Sequence, residues 1–194
     1  MQYVYNEICV FYTAKYVWIV NNCTLVTASI LSSRLEVVVP PTQVSTIHIV
    51  DNNAIVYLNL TNPVTVDIAS NTIDLFIFSS DAVTVQGDAN NIELTVDATS
   101  TTFEGLTFND MTATIKGSTS GSIIGNWATF LIEGELKSLE GVVNMLDVSI
   151  NGEGCENINV IANMQTCGSA DDTVDVPYTA CTESTSVSTH SCNF

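Results

Sequence analysis

Positive charge is what this sequence has least of. Lys15, Arg34, Lys116 and Lys137 are its only lysine or arginine residues, set against 21 acidic ones, for a net charge of −17 over 194 residues. Nucleic acid and anionic lipid both need clustered Lys or Arg to neutralise their phosphates, so a field of this sign repels them. No nucleic-acid partner is expected. Charged residues of both signs reach only 13%, whereas apolar residues reach 46%. That balance excludes a disordered chain and departs from an ordinary cytosolic enzyme. It suits a soluble or surface-exposed protein.

Other absences narrow the reading further. No CxxC pair occurs, and His48 and His190 are the only histidines, so the closely spaced ligands of a structural zinc site are missing. Cys9 and Cys23 lie near the start, and Cys155, Cys167, Cys181 and Cys192 near the end. An even set grouped at the two ends reads as disulfides, which imply an oxidising compartment or a hyperthermophile's cytoplasm. Their pairing does not follow from spacing. The longest apolar stretches, such as Tyr16 to Val20, fall far short of the ~20 residues that span a bilayer, so no membrane insertion is expected. Glu7 and no basic residue precede Lys15, unlike the charged start of a secretory signal. The expectation is that a signal has been removed or that the protein travels as part of a particle. Localisation is then extracellular or at a cell surface, a virion or other particle included. Asn22-Cys23-Thr24 and Asn59-Leu60-Thr61 match the glycosylation acceptor pattern, making Asn22 and Asn59 candidate acceptors.

What the chain does have is a repeat. Asn71-Thr72-Ile73-Asp74-Leu75 returns as Asn90-Asn91-Ile92-Glu93-Leu94, nineteen residues later. Asparagine stands at positions 52, 71, 90, 109, 126 and 144, at spacings of 19, 19, 19, 17 and 18. Two residues after each come Ala54, Ile73, Ile92, Met111, Ala128 and Leu146, then Val56, Leu75, Leu94, Ala113, Phe130 and Val148. Leu58, Ile77, Val96, Ile115, Ile132 and Ile150 follow after two more. Backward steps of nineteen add Leu35, Val37 and Val39, then Tyr16, Trp18 and Val20. A second strand accompanies the first: Val26/Ala28/Ile30, Ile47/Ile49, Val64/Val66/Ile68, Val83/Val85 and Ile158/Val160.

Alternation with period two means strands with one buried face, and its return at a fixed interval means stacked strands in register. A helix is excluded by that alternation and by the β-branched residues that carry it. The predicted fold is all-β: a single-stranded parallel β-helix (β-solenoid) of about eight 17–19-residue rungs with capped ends. Stacking buries aliphatic columns that no single rung could bury alone. The asparagines are expected at an inward-facing bend, where Asn tolerates a left-handed backbone and its amide can link to the rung above and below. Asn52, Asn71, Asn90, Asn109, Asn126 and Asn144 would form that structural ladder.

On these asparagines and their following aliphatics, about three-quarters of the chain resembles the right-handed parallel β-helix proteins with an internal asparagine ladder. The resemblance is one of architecture. That architecture is shared by pectate-lyase-like enzymes, phage tailspikes, adhesins and filament-forming surface proteins, and fold alone does not choose among them. Left-handed solenoids also have coils near eighteen residues, but the regular hexapeptide pattern is missing.

Three regions follow: residues 1–14 as an N-terminal cap, 15–164 as the solenoid, and 165–194 as a Cys-containing C-terminal cap or appendage. Caps are needed because an open solenoid exposes unpaired strand edges. Cys9 and Cys23 could tie the first cap to the stack, and Cys155 could pair with a cysteine of the tail. Between the core columns, Ile19, Val38, Tyr57 and Phe76 recur nineteen apart on an outer face, flanked by Val17 and Ile55. Later rungs place Thr95, Thr114 and Ser149 there, with Leu131 the exception. An apolar stripe on a solvated face marks an interface, with either a second copy or the chain's own ends.

Chemistry is sparse. A β-helix lyase uses carboxylates that hold a cation and a basic residue that takes the proton. The best cluster, Lys116 and Lys137 with Glu133 and Glu135, reads as surface ion pairs. Asp74 and Glu93 share an outward column on adjacent rungs, with Glu36 two rungs before Asp74. Glycosidases use such pairs, yet neighbouring acids are ordinary on so acidic a surface. His48 faces outward without an evident partner, and His190 lies in the tail near Cys192. Asp51, Asp88, Asp110 and Asp171-Asp172 offer oxygen ligands that make calcium the one cation to test, in no recognised loop pattern. No catalytic, cofactor-binding or metal residue is assigned. The expected function is a non-enzymatic structural surface protein that forms homo-oligomers or homopolymers through the stripe or by strand pairing at solenoid ends. The alternative is a carbohydrate-binding adhesin or a polysaccharide-acting β-helix, with a glycan as partner.

Overall fold

The computed structural model describes residues 2–5, 8–12, 16–18, 25–29, 35–39, 46–151, 154–155 and 158–169, with side-chain surroundings for 46–50, 52–151 and 158–162. All regular elements among them are strands, and no helix among the described residues is long and apolar enough to cross a membrane. In chain order these are β1 (Gln2–Tyr5), β2 (Ile8–Tyr12), β3 (Tyr16–Trp18), β4 (Leu25–Ser29), β5 (Leu35–Val39), β6 (Thr46–Leu60), β7 (Val64–Ser79), β8 (Ala82–Ile150), β9 (Gly154–Cys155) and β10 (Ile158–Ser169). They belong to one sheet wound into a parallel β-solenoid of about six turns.

The register is the repeat made physical. Ile73 lies between Ala54 and Ile92, Leu75 between Val56 and Leu94, and Ile77 between Leu58 and Val96. β8 runs for 69 residues because strand geometry continues through its bends. Its own coils stack too: Gly117 lies against Ala98, Gly121 against Phe103, Gly134 against Gly117 and Gly141 against Ile123. At the far end β10 pairs in parallel with β8, from Ile158 beside Leu139 to Ser169 beside Ile150.

Both ends differ from the even nineteen-residue stack. β1 and β2 form an antiparallel hairpin, β2 continues antiparallel to β3, and Ile8 lies parallel beside Leu25. The segment 1–14 therefore supplies strands hydrogen-bonded to the first coil. β3 sits beside β5 with Tyr16 opposite Glu36, Val17 opposite Val37 and Trp18 opposite Val38. That is a correction: Tyr16 and Trp18 were expected beside Leu35 and Val37. Side chains alternate along a strand, so a slip of one residue exchanges the two faces. The count of about six turns also corrects the expected eight. At the other end the coil continues to Ser169, past Met164 where the repeat was expected to stop. Gln165, Cys167 and Ser169 stand opposite Leu146, Val148 and Ile150. Polar Gln165 and Ser169, in place of Leu146 and Ile150, concealed the coil.

The core is a pair of inward columns facing each other. Each of the aliphatic positions named after the asparagines from 52 to 144 is buried, as are Ile47, Ile49, Val64, Val66, Ile68, Val83, Val85, Ile158 and Val160 on the second face. Later coils complete that second face with Phe103, Leu106, Ile123 and Leu139. Phe103 meets Phe130 across the core edge-to-face, with centroids 5.8 Å apart and planes at 63°, a favoured aromatic geometry. Thr101 and Thr119 are the exceptions. Their hydroxyls are buried and have no hydrogen-bond partner among the described residues. Gly87 sits opposite Ile68 with φ +106°, and a Cβ there would overlap the Ile68 backbone. Only glycine combines that dihedral with so close an approach.

Candidate assembly surface

Outward positions carry the site. On the face whose inner side holds Ile73, Leu75 and Ile77, β7 exposes Asp74, Phe76 and Phe78. Phe76 is in register with Tyr57, and their rings stack with centroids 4.8 Å apart and planes 9° apart. Adjacent strands are ~4.8 Å apart, so outward aromatics on neighbouring coils stack when their rings lie across the solenoid axis. Tyr57 remains 40% exposed and Phe78 47% exposed, while Phe76 is half-buried. Val38 is in register with Tyr57, and Trp18 with Val38. The column is therefore Trp18–Val38–Tyr57–Phe76, not one that begins at Ile19. Ile19 itself lies outside the described residues, and its expected flank Val17 takes the register of Val37 in the inner set. Ile55, the other flank, lies between Glu36 and Asp74. Beyond Phe76 the column continues with Thr95, and Thr114, Leu131 and Ser149 in the later coils are half-buried.

The asparagines stand at the bend between the two faces, as a column but on its outer side. Asn52, Asn71, Asn90, Asn109, Asn126 and Asn144 are all exposed, which corrects the expected inward-facing corner. Asn90 Nδ2 donates to Asn71 Oδ1 on the coil before, and Asn52 and Asn144 have interaction partners as well. Asn109 instead donates to Asp110 Oδ2 at 2.9 Å, within its own coil. A seventh member was missed: Asn163 falls opposite Asn144, between the pairs Ala162–Val143 and Met164–Met145.

The charged candidates are spread out. Lys116 reaches Glu133 at 3.5 Å and Lys137 reaches Glu135 at 3.8 Å, with both lysines about half exposed. Exposed pairs of this kind contribute at most ~1 kcal/mol. Asp74 and Glu93 are neighbours in register and line a shallow, open hollow with Thr72, Asn91, Asp110 and Thr112. Asp88 borders a separate hollow with Ser70, Asn90 and Asn109. Among the described residues no three His, Cys, Asp or Glu side chains cluster as a metal-ligand set. His48 does have a partner: its Nδ1 lies 2.8 Å from Asp67 Oδ2, nineteen residues on and one coil away. The side chain of Asp51 and residues Asp171, Asp172 and His190 lie outside the described set.

Cysteines and glycosylation candidates are placed by backbone register alone. Cys9 is in β2, Cys155 stands opposite Leu136, and Cys167 opposite Val148. Cys155 and Cys167 thus share the last of the described coils, whereas Cys167 was expected in the C-terminal cap or appendage. Cys23, Cys181, Cys192 and Asn22 lie outside the described residues. Asn59 is exposed and stands opposite Phe78.

A second apolar patch escaped the sequence reading. Ile124, Val142 and Ile161 are 54%, 51% and 36% exposed, and Ile161 is in register with Val142. Beyond Asn126 on the same bend, Trp127 is 48% exposed. The signal was present as spacings of 18 and 19 between Ile124, Val142 and Ile161. It lay beside the asparagine column and not between the core columns. No protein-family model, curated protein or solved structure matches the chain.

Proposed function

We propose that the protein is a non-enzymatic structural subunit of an extracellular or surface filament or particle, assembling with copies of itself. The observation that carries this is the exposed parallel stack of Tyr57 on Phe76, continued by Phe78, on a face that water would otherwise cover. Apolar surface of this kind is stabilised by burial at an interface. Strand pairing is the second route: β1 and β10 are the terminal strands of the order, and a neighbour's strand satisfies edge groups as well as an internal one does.

Carbohydrate binding, as an adhesin or a polysaccharide-acting protein, is the competing reading. It draws support from the acids Asp74 and Glu93 near the aromatic column. Against it, the 9° stack covers one face of each ring with the other and turns ring edges outward, whereas a sugar packs on an open face. The deciding experiment is negative-stain electron microscopy at neutral pH with disulfides intact, alongside a Tyr57→Ser/Phe76→Ser variant. Rods or fibres from the native chain, lost in the variant, are the expected result. Dispersed single particles at high concentration would end the assembly reading and turn attention to glycan binding.

A further inference from the structure

β6 ends at Leu60, and the chain bends through Thr61 and Asn62 to Pro63, which has no N–H to continue the ladder. Leu60 is buried, while Asn59 and Thr61 on either side of it are exposed. The asparagine amide and the hydroxyl two residues on thus face solvent together, as the acceptor pattern Asn59-Leu60-Thr61 requires.

The surroundings of this acceptor are aromatic. Residues two apart share a strand face, so Tyr57 lies beside Asn59 on the outer side of β6. On the next coil Asn59 is in register with Phe78. Phe78 stands apart from the Tyr57–Phe76 stack, because its own neighbours in register are Asn59 and Asp97 and not rings. It is nearly half exposed, and apolar surface of that kind is stabilised by being covered. Neighbouring strands lie ~4.8 Å apart, so a sugar joined to Asn59 begins beside that ring.

We propose that Asn59 carries an N-linked glycan whose first N-acetylglucosamine packs on Phe78. The donor is a lipid-linked oligosaccharyl pyrophosphate. A bond forms from Asn59 Nδ2 to C1 of the sugar and the C1–O bond to pyrophosphate breaks. Nδ2 gives up one proton as the lipid pyrophosphate leaves. A bulky, solubilising group then borders the Tyr57–Phe76 stack on its Phe78 side and leaves the stack itself to a second copy. The modification goes beyond the self-assembly reading and does not depend on it.

Secretion of the full chain from eukaryotic cells, behind a cleavable leader, tests it. Peptide mapping after peptide-N-glycosidase treatment is expected to find Asn59 converted to aspartate. Thr61→Ala, which leaves Tyr57, Asn59 and Phe78 in place, should lose the mass of that glycan. Packing on the ring is read by a second comparison. Thr61→Ala should lower the melting temperature of the native chain and leave that of a Phe78→Ser chain unchanged. An unmodified Asn59 in the secreted chain, or a glycan at Asn22 alone, overturns the acceptor. Equal shifts in the two backgrounds overturn the packing on Phe78. Neither result turns on whether rods form, so failure here leaves the self-assembly reading standing.

Discussion

The coil through Ile73–Ser79 and the coil through Met111–Gly117 have matching insides and unlike outsides. Inward, Ile73, Leu75 and Ile77 correspond to Met111, Ala113 and Ile115, and all six are buried. Outward, Asp74, Phe76 and Phe78 correspond to Thr112, Thr114 and Lys116. A solenoid is held by nearest-neighbour stacking, so each coil must present the same inner column to the next. Nothing in that requirement constrains the outer column. Aromatics there in one coil, and threonine and lysine two coils later, show that stacking does not require that column to be aromatic.

The comparison can be broken by substituting the two sides of one strand. Leu75→Ala, on the buried side, should lower stability by about 2–5 kcal/mol, the usual range for a core leucine. Phe76→Thr, one residue away and only half-buried, should cost less than Leu75→Ala, with ~0.5–1.5 kcal/mol of the loss from the aromatic pair beyond its area burial, and should abolish the rods proposed for the native chain. Urea unfolding followed by circular dichroism measures both, and equal losses would mean that Phe76 belongs to the core.

Gly87→Ala tests whether the inner columns tolerate any change of shape. It forces a positive φ on alanine and drives a Cβ into the Ile68 backbone, so a loss of about 1–3 kcal/mol is expected from strain. The same unfolding experiment reads it, and no loss would mean that the bend at Gly87 relaxes freely. Thr101→Val asks the opposite question. Its hydroxyl is buried without a partner among the described residues, and removing such a group should stabilise by about 1 kcal/mol. A raised melting temperature is the expected outcome, and a lowered one would reveal a hydrogen bond at Thr101 Oγ1. Smallest of all should be Asn90→Ala. The Asn90–Asn71 link is exposed, so its loss should cost less than ~1 kcal/mol. A larger drop in melting temperature would restore the asparagine column to the core of the fold.

Much of this was legible beforehand because strand alternation is local and its return at nineteen residues is arithmetic. The columns through Ile73, Leu75 and Ile77 needed nothing else. Register at the N-terminal end was not legible: Trp18 and Ile19 are both apolar, and only the backbone pairing of Val17 with Val37 sets Trp18 opposite Val38. The asparagines were placed at the correct bend but on the wrong side of it. Spacing reports which residues stack, not whether a bend turns them in or out. His48 and Asp67 could have been matched by their separation of nineteen, yet a lone pair gives no periodic signal.

By itself, then, the sequence determined that the chain is all-β, that its strands stack in parallel at 17–19-residue intervals, and which aliphatics line the stack. Those properties depend on alternation and repetition, which are written along the chain. Only the tertiary structure decided which apolar residues were left over. Tyr57 and Phe76 became a stacked pair, and Ile124, Val142 and Ile161 became one exposed column. The reason is geometric: residues far apart along the chain become neighbours ~4.8 Å apart across coils, and whether they meet water depends on which way each bend turns.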